Sequence, residues 1–183
     1  ASPTIELCQK KPGDLPRQYR VLINEVAWMG TGIPSNHEWI ELKNIWGIPV
    51  NLNGWQLQDK DQQIKVIFGE NHILLPNDFF LLERTNDETV PNISADLIYT
   101  GALNNNNEAL YLFNNECQLE DKVLAEPDWP AGDNIAKKTM ERFDAVNWYT
   151  GIINGTPKRE NSALPDSSVV VALPPTSSSS ASP

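Results

Sequence analysis

The sequence predicts an all-β fold, a sandwich or barrel of about eight short strands, and three observations carry that expectation. Several short runs either alternate apolar with polar side chains or are rich in β-branched and aromatic residues. Clusters of Asn, Asp, Gly and Pro separate these runs at fairly regular spacing. No amphipathic stretch is long enough for a stable helix, the nearest being residues 135–140.

The first strand is expected over residues 19–28, followed by a loop of turn formers from Gly30 to Asn36. A second, 37–44, places Ile40 and Leu42 on one face and Trp39 and Glu41 on the other. A third spans 50–59. Gly54 there suits a tight turn or a crowded neighbour, while Trp55 and Leu57 share a face and fill the core. Further strands are expected over 63–68, 79–84, 108–113, 119–125 and 139–143. Between them lie Pro76-Asn77-Asp78, the Asn run 104–107, Asn114-Asn115 and residues 130–134. The Asn run reads as a hairpin turn, because Asn tolerates left-handed backbone and bonds its own main chain; a sugar-binding loop is the alternative.

The ends have a different texture. Residues 1–19, with Pro3, Pro12 and Pro16 and no periodicity, are expected to form an extended N-terminal strap. The folded domain is expected over 20–161. Residues 162–183 read as a flexible Ser/Pro-rich linker or tail, since little but the patch 169–173 is apolar enough to bury. That patch is weighed as a transient addition to a sheet edge, with a solvated linker preferred. The first residues, Ala1-Ser2-Pro3-Thr4, look like a mature or cut end rather than a signal peptide.

Composition narrows function by exclusion. The chain is 40% hydrophobic and 21% charged, ordinary for a globular protein. A net charge of −10 argues against nucleic acid as a partner, because phosphate recognition needs Lys and Arg in quantity. The basic pairs Lys137-Lys138 and Lys158-Arg159 are too short to make a footprint. No apolar run is long enough to span a membrane.

Cys8 and Cys117 lack metal-ligand spacing. A disulfide pinning the strap to the body is the favoured reading and implies an oxidising compartment; two unrelated buried thiols are the alternative.

A series of motifs runs in order along the chain. It begins with Ile23-Asn24-Glu25-Val26, Glu38-Trp39-Ile40-Glu41-Leu42 with Asn44, and Gly54-Trp55 with Leu57 and Asp59. Leu82-Glu83-Arg84-Thr85, residues 96–103 and Glu108-Ala109-Leu110-Tyr111-Leu112 continue it. Thr139-Met140-Glu141-Arg142 and Asn154-Gly155-Thr156-Pro157 close it. Together these motifs resemble a bacterial lamin-tail domain. The resemblance implies an immunoglobulin-like β-sandwich. It also implies a non-catalytic interaction or tethering module of a secreted or envelope-associated bacterial protein, often beside hydrolase or nuclease domains. Its partner would be a protein or a cell-envelope component. No coiled-coil heptad is present, so a filament role does not carry over.

Candidate chemistry is sparse. His37 and His72 read as exposed strand-end histidines, with no G-x-S-x-G elbow, H-E-x-x-H motif or P-loop nearby. No cofactor is expected, and the chain is read as not an enzyme. Glu25, by alternation with Val21 and Ile23, should point toward apolar surroundings and need a partner: Arg142, Lys43 or backbone N–H groups. The sharper alternative has Glu25, Glu41 and Asp59 donating oxygens to Ca²⁺. A carbohydrate-binding module is the second functional reading. It would need exposed coplanar rings, for which Trp28, Trp46 and Trp129 are the candidates.

Overall fold

A computed structural model describes residues 6–32 and 37–163. Among them there are twelve strands and no helix. In chain order these are β1 Val21–Val26, β2 Trp39–Asn44, β3 Val50–Asn51, β4 Gln56–Asp59, β5 Lys65–Ile67 and β6 Ile73–Leu74. There follow β7 Phe79–Arg84, β8 Leu97–Tyr99, β9 Asn106–Phe113, β10 Leu119–Asp128, β11 Lys138–Arg142 and β12 Trp148–Ile153. A six-stranded sheet in the order β12-β11-β1-β2-β7-β8 packs on a four-stranded sheet, β10-β9-β4-β5, with β3-β6 as a small ribbon. All pairings are antiparallel except β7 with β8.

Period-two alternation builds the core as the sequence leads one to expect. Ile40 and Leu42 of β2 and Leu82 of β7 join Leu57 of β4, Leu110 and Leu112 of β9 and Val123 of β10 in one buried cluster. Trp55 is buried among them, and each such side chain contributes about 1.5–3 kcal/mol by leaving water.

Strict alternation fails at one place. In the β1–β2 ladder Ile23 opposes Leu42, but Glu25 opposes Glu41, so Asn24 is an extra residue, a β-bulge. The bulge turns Glu25 away from the face of Val21 and Ile23 and sets it beside Glu41 on the outer face. Its expected position on the inner face is corrected accordingly.

Other boundaries move for local reasons. The expected strand 50–59 is two strands, because Gly54 adopts φ +78 and breaks the run between β3 and β4. The Asn run is not a hairpin turn. Asn104 and Asn105 end the connection from β8, in the large sheet, to β9, in the small one, and Asn106 and Asn107 open β9 itself. There the Asn104 N–H donates to Glu108 and its carbonyl accepts from Trp129 Nε1. The Asn114-Asn115 turn does join β9 to β10, with Asn114 Oδ1 accepting from the N–H groups of Glu116 and Gln118. β6, β8 and β12 were not anticipated. Two of them are only two or three residues long, and β12 carries a glycine in its interior.

Both chain extensions dock. Near the N-terminus, Arg17 and Gln18 donate backbone N–H groups to the carbonyls of Leu119 and Glu120 at the start of β10. Further back, Cys8 is buried with Ala109, Tyr111, Phe113 and Leu119. The expected linker lies, from residue 164 onward, outside the described residues. Docking contacts of the C-terminal segment reach Ser162. Because the Ser/Pro-rich composition of residues 164–183 offers little apolar surface to bury, deleting them is expected to leave the melting temperature within about two degrees, measured by calorimetry. A large drop would mean that the apolar patch 169–173 pairs with the sheet.

Candidate functional site

Three glutamates stand side by side on the outer face of the large sheet. Glu41 of β2 opposes Glu25 of β1, which opposes Glu141 of β11, and all three are fully buried. They are buried because residues 154–162, following β12, run over this face and donate into the row. Thr156 gives Glu25 its N–H at 3.0 Å and its hydroxyl at 2.7 Å. The Lys158 N–H reaches Glu41 at 2.6 Å, and Ser162 reaches Glu141 through both N–H, 2.5 Å, and hydroxyl, 2.8 Å. From the sheet side, the Thr139 hydroxyl donates to Glu25, Asn24 Nδ2 to Glu41 and the Tyr149 hydroxyl to Glu141.

Two glycines make the approach close enough. A Cβ on Gly155, which sits at φ +70, would collide with the Glu25 carboxylate and the Trp39 ring. A Cβ on Gly151 of β12 would run into the carboxylate of Glu141. Burial pushes Glu25 up to about 7; hydrogen bonds from Thr139 and Thr156 oppose it and the Glu141 charge adds to it. Burial likewise pushes Glu41 up to about 8, opposed by the Lys158 N–H and reinforced by the Glu25 charge.

A second polar centre joins the two sheets. Arg142 of β11 donates through Nη2 to Asp121 of β10 at 2.5 Å and through Nε to the Ile23 carbonyl at 2.6 Å. Its Nη1 reaches the Ala145 carbonyl, and the guanidinium lies 4.3 Å from the centre of the Trp148 ring. Asp121 also accepts from the Ile23 N–H and from Gln18 of the N-terminal strap. Arg142 thus partners Asp121 and not Glu25. Of the partners expected for Glu25, a backbone N–H is found, that of Thr156, while Arg142 and Lys43 are replaced by two threonine hydroxyls because the bulge turns Glu25 outward.

The trio considered for Ca²⁺ does not assemble. Glu25 and Glu41 are neighbours in the large sheet, whereas Asp59 belongs to β4 of the small one and accepts from the Ile64 N–H. Among the described residues no group of three or more His, Cys, Asp or Glu side chains is placed to hold a metal ion. Glu38, just before β2, is engaged elsewhere: it pairs with Arg84 at 2.9 Å and accepts the Leu103 N–H. Burial raises it to about 7 even so.

The three tryptophans put forward as an exposed platform are packing residues. Trp28 and Trp129 are buried and stack on each other, ring centres 6.0 Å apart and planes 3° from parallel. Their indole N–H groups bond the carbonyls of Ala131 and Asn104. Trp46 is half-buried, set against the core, Tyr19 and Arg20. These rings close the ends of the sandwich, which is why a scattered set of Trp does not make a flat surface.

The histidines are half-buried rather than exposed, and they are in separate places. The carbonyl of His37 accepts from Thr31 before β2. His72 accepts the Gly69 N–H through Nδ1 and packs edge-on against Phe68 and Phe80. Among the described residues, neither imidazole is hydrogen-bonded to a Ser, Thr or Cys side chain that it could activate.

Sequence reasoning found Glu25 and Glu41 but missed Glu141, Thr156 and Ser162 as their companions. The signal was present: Glu141 sits in Thr139-Met140-Glu141-Arg142 and Thr156 in Asn154-Gly155-Thr156-Pro157, the two closing motifs. What was missing was the bulge that aligns the row.

The second terminal tie is covalent. Cys8 and Cys117 form a disulfide, Cα atoms 5.1 Å apart and 109 residues apart in sequence. Two stacked, mostly antiparallel sheets joined by turns and by crossovers between them make an immunoglobulin-like β-sandwich. The family model described as Lamin Tail Domain matches residues 16–135, and the chain belongs to that family. No curated protein matches the chain.

Proposed function

We propose that this domain is a non-catalytic interaction or tethering module of a secreted or envelope-associated bacterial protein. The observation that carries the reading is the treatment of the chain ends. The N-terminal segment is held by a disulfide and the C-terminal segment by a row of buried carboxylates. A body whose two extensions are both anchored can hold whatever is attached to them at a fixed place, which is what a tether requires. The disulfide supports an oxidising, extracytoplasmic setting. No described helix is long and apolar enough to cross a membrane.

The test is retention. A secreted reporter fused to this domain is expected to stay several-fold more with the bacterial cell envelope than the reporter alone. Equal release into the medium would remove the tethering reading. Separately, the domain is expected to turn over neither phosphodiesters nor glycans. Turnover that vanishes in His37→Ala or His72→Ala would overturn the non-catalytic assignment.

A further inference from the structure

The glutamate row is an unusual foundation for a docked segment. Carboxylates directly opposite one another across strands repel when ionised, and burial removes the water that would screen them. Among the described residues, no Lys or Arg side chain forms an ion pair with Glu25, Glu41 or Glu141.

The charged groups around them are engaged elsewhere. Lys43 of β2 pairs with Glu160, Lys158 Nζ with Asp96, and Arg159 reaches the Gly155 carbonyl. Glu83 of β7, opposite Trp39 on the same face, adds a fourth buried carboxylate, which takes the Thr89 N–H. Asn24 and Thr139 are neutral. Tyr149 on β12, its hydroxyl pushed up to about 12 by burial and by its bond to Glu141, remains a neutral donor over the whole neutral range.

We propose that residues 154–162 are a proton-dependent latch, docked on the row while Glu25 and Glu41 hold protons and released when those two give them up. The nature of the contacts supports this. Every donor from the segment to the row is a backbone N–H or a hydroxyl, so docking brings hydrogen bonds but no positive charge to offset the ionisation of Glu25 and Glu41. Undocking returns Glu25 and Glu41 to water, which solvates their charges and screens the repulsion between them.

The sign follows from linkage. Glu25 and Glu41 titrate at about 7 and about 8 when covered, above their ordinary 4.5, so the covered state binds the extra protons. Docking is thus strongest at or below the ordinary carboxylate range and weakens as pH rises through 7 to 8. Release frees up to roughly 30 Å of extended chain from residues 154–162 and uncovers the Trp39 ring beneath Gly155. The latch follows from the row and the segment alone, whatever the domain binds.

Hydrogen exchange on the full chain tests it, with each amide corrected for its intrinsic rate. Between about pH 5.5 and about pH 8.5, protection at the Thr156, Lys158 and Ser162 amides is expected to fall at least tenfold more than at β9 amides such as Leu110 and Leu112. A flat profile, or an equal fall in the latch and in β9, would overturn the proposal. Glu41→Gln, which removes a charge and keeps the shape, is expected to shrink the difference; an unchanged difference counts against it. Should that variant not fold, carbon-13 NMR of the glutamate carboxyls in the unmodified chain decides. Midpoints between about 6.5 and about 8.5 for Glu25 and Glu41 support the latch, and midpoints in the ordinary carboxylate range overturn it.

Discussion

Replacing Arg142 by alanine is expected to cost about 3–5 kcal/mol of stability. For a protein of this size that corresponds to a fall in melting temperature of about 10 °C. Removing the guanidinium leaves Asp121 wholly buried with its charge uncompensated, and takes a donor from the carbonyls of Ile23 and Ala145, the latter keeping Gln18 Nε2. It also empties the space beneath Trp148.

Burial pushes Asp121 up and Arg142 down, each only partly opposed by the other's charge. The pair is therefore held at a desolvation cost, and its integrity matters more than its net attraction. It follows that the Arg142→Met, Asp121→Leu double variant should be more stable than the Arg142→Ala single, recovering part of the loss. Guanidinium denaturation with matched slopes is the measurement. A single-variant loss below about 1 kcal/mol would mean that water reaches Asp121 and that this centre does not lock the two sheets together.

The sandwich was legible because its core obeys a local rule. Alternation alone places Ile40, Leu42, Trp55 and Leu57, and each is buried where period two puts it. The β9–β10 turn was legible because Asn114 caps it by its own side chain, a chemistry confined to a few neighbouring residues.

What stayed hidden depends on partners distant in sequence. A bulge at Asn24 reverses the facing of Glu25, and no residue of β1 announces it; the register against Leu42 and Glu41 does. The Asn run 104–107 has the composition of a hairpin turn, yet it ends a crossover between sheets and opens β9, with Asn104 fixed by Glu108 and Trp129. β12 looks weak because Gly151 interrupts it, and that glycine is required by the Glu141 carboxylate packed against it. The tryptophans illustrate the same limit. Even spacing along the chain says that Trp28 and Trp129 anchor something, but not that they stack on each other.

Reducing the Cys8–Cys117 bond, or replacing both residues by serine, is expected to destabilise the domain by about 2–5 kcal/mol. The melting temperature should fall by several degrees, with the reduced protein and the double variant agreeing. The argument is mainly one of unfolded-state entropy. The bond closes a loop of 109 residues in sequence, and freeing a loop of that size enlarges the unfolded ensemble.

The native state is affected less, because the strap has other holds. Gln56 Oε1 accepts the Cys8 N–H at 2.8 Å, Gln58 Nε2 donates to the Cys8 carbonyl, and Gln56 Nε2 donates to the Glu6 carbonyl. Reduced protein should therefore still fold, with the exchange protection lost first around residues 6–10 and at the cluster of Tyr111, Phe113 and Leu119 that Cys8 covers. Thiol titration of denatured, unreduced protein should find essentially no free cysteine. Two titratable thiols in protein prepared under oxidising conditions would remove both the stabilisation and the structural support for an extracytoplasmic home. A bond that closes this long a loop is of use only where the surroundings leave it oxidised, and a reducing cytosol would not.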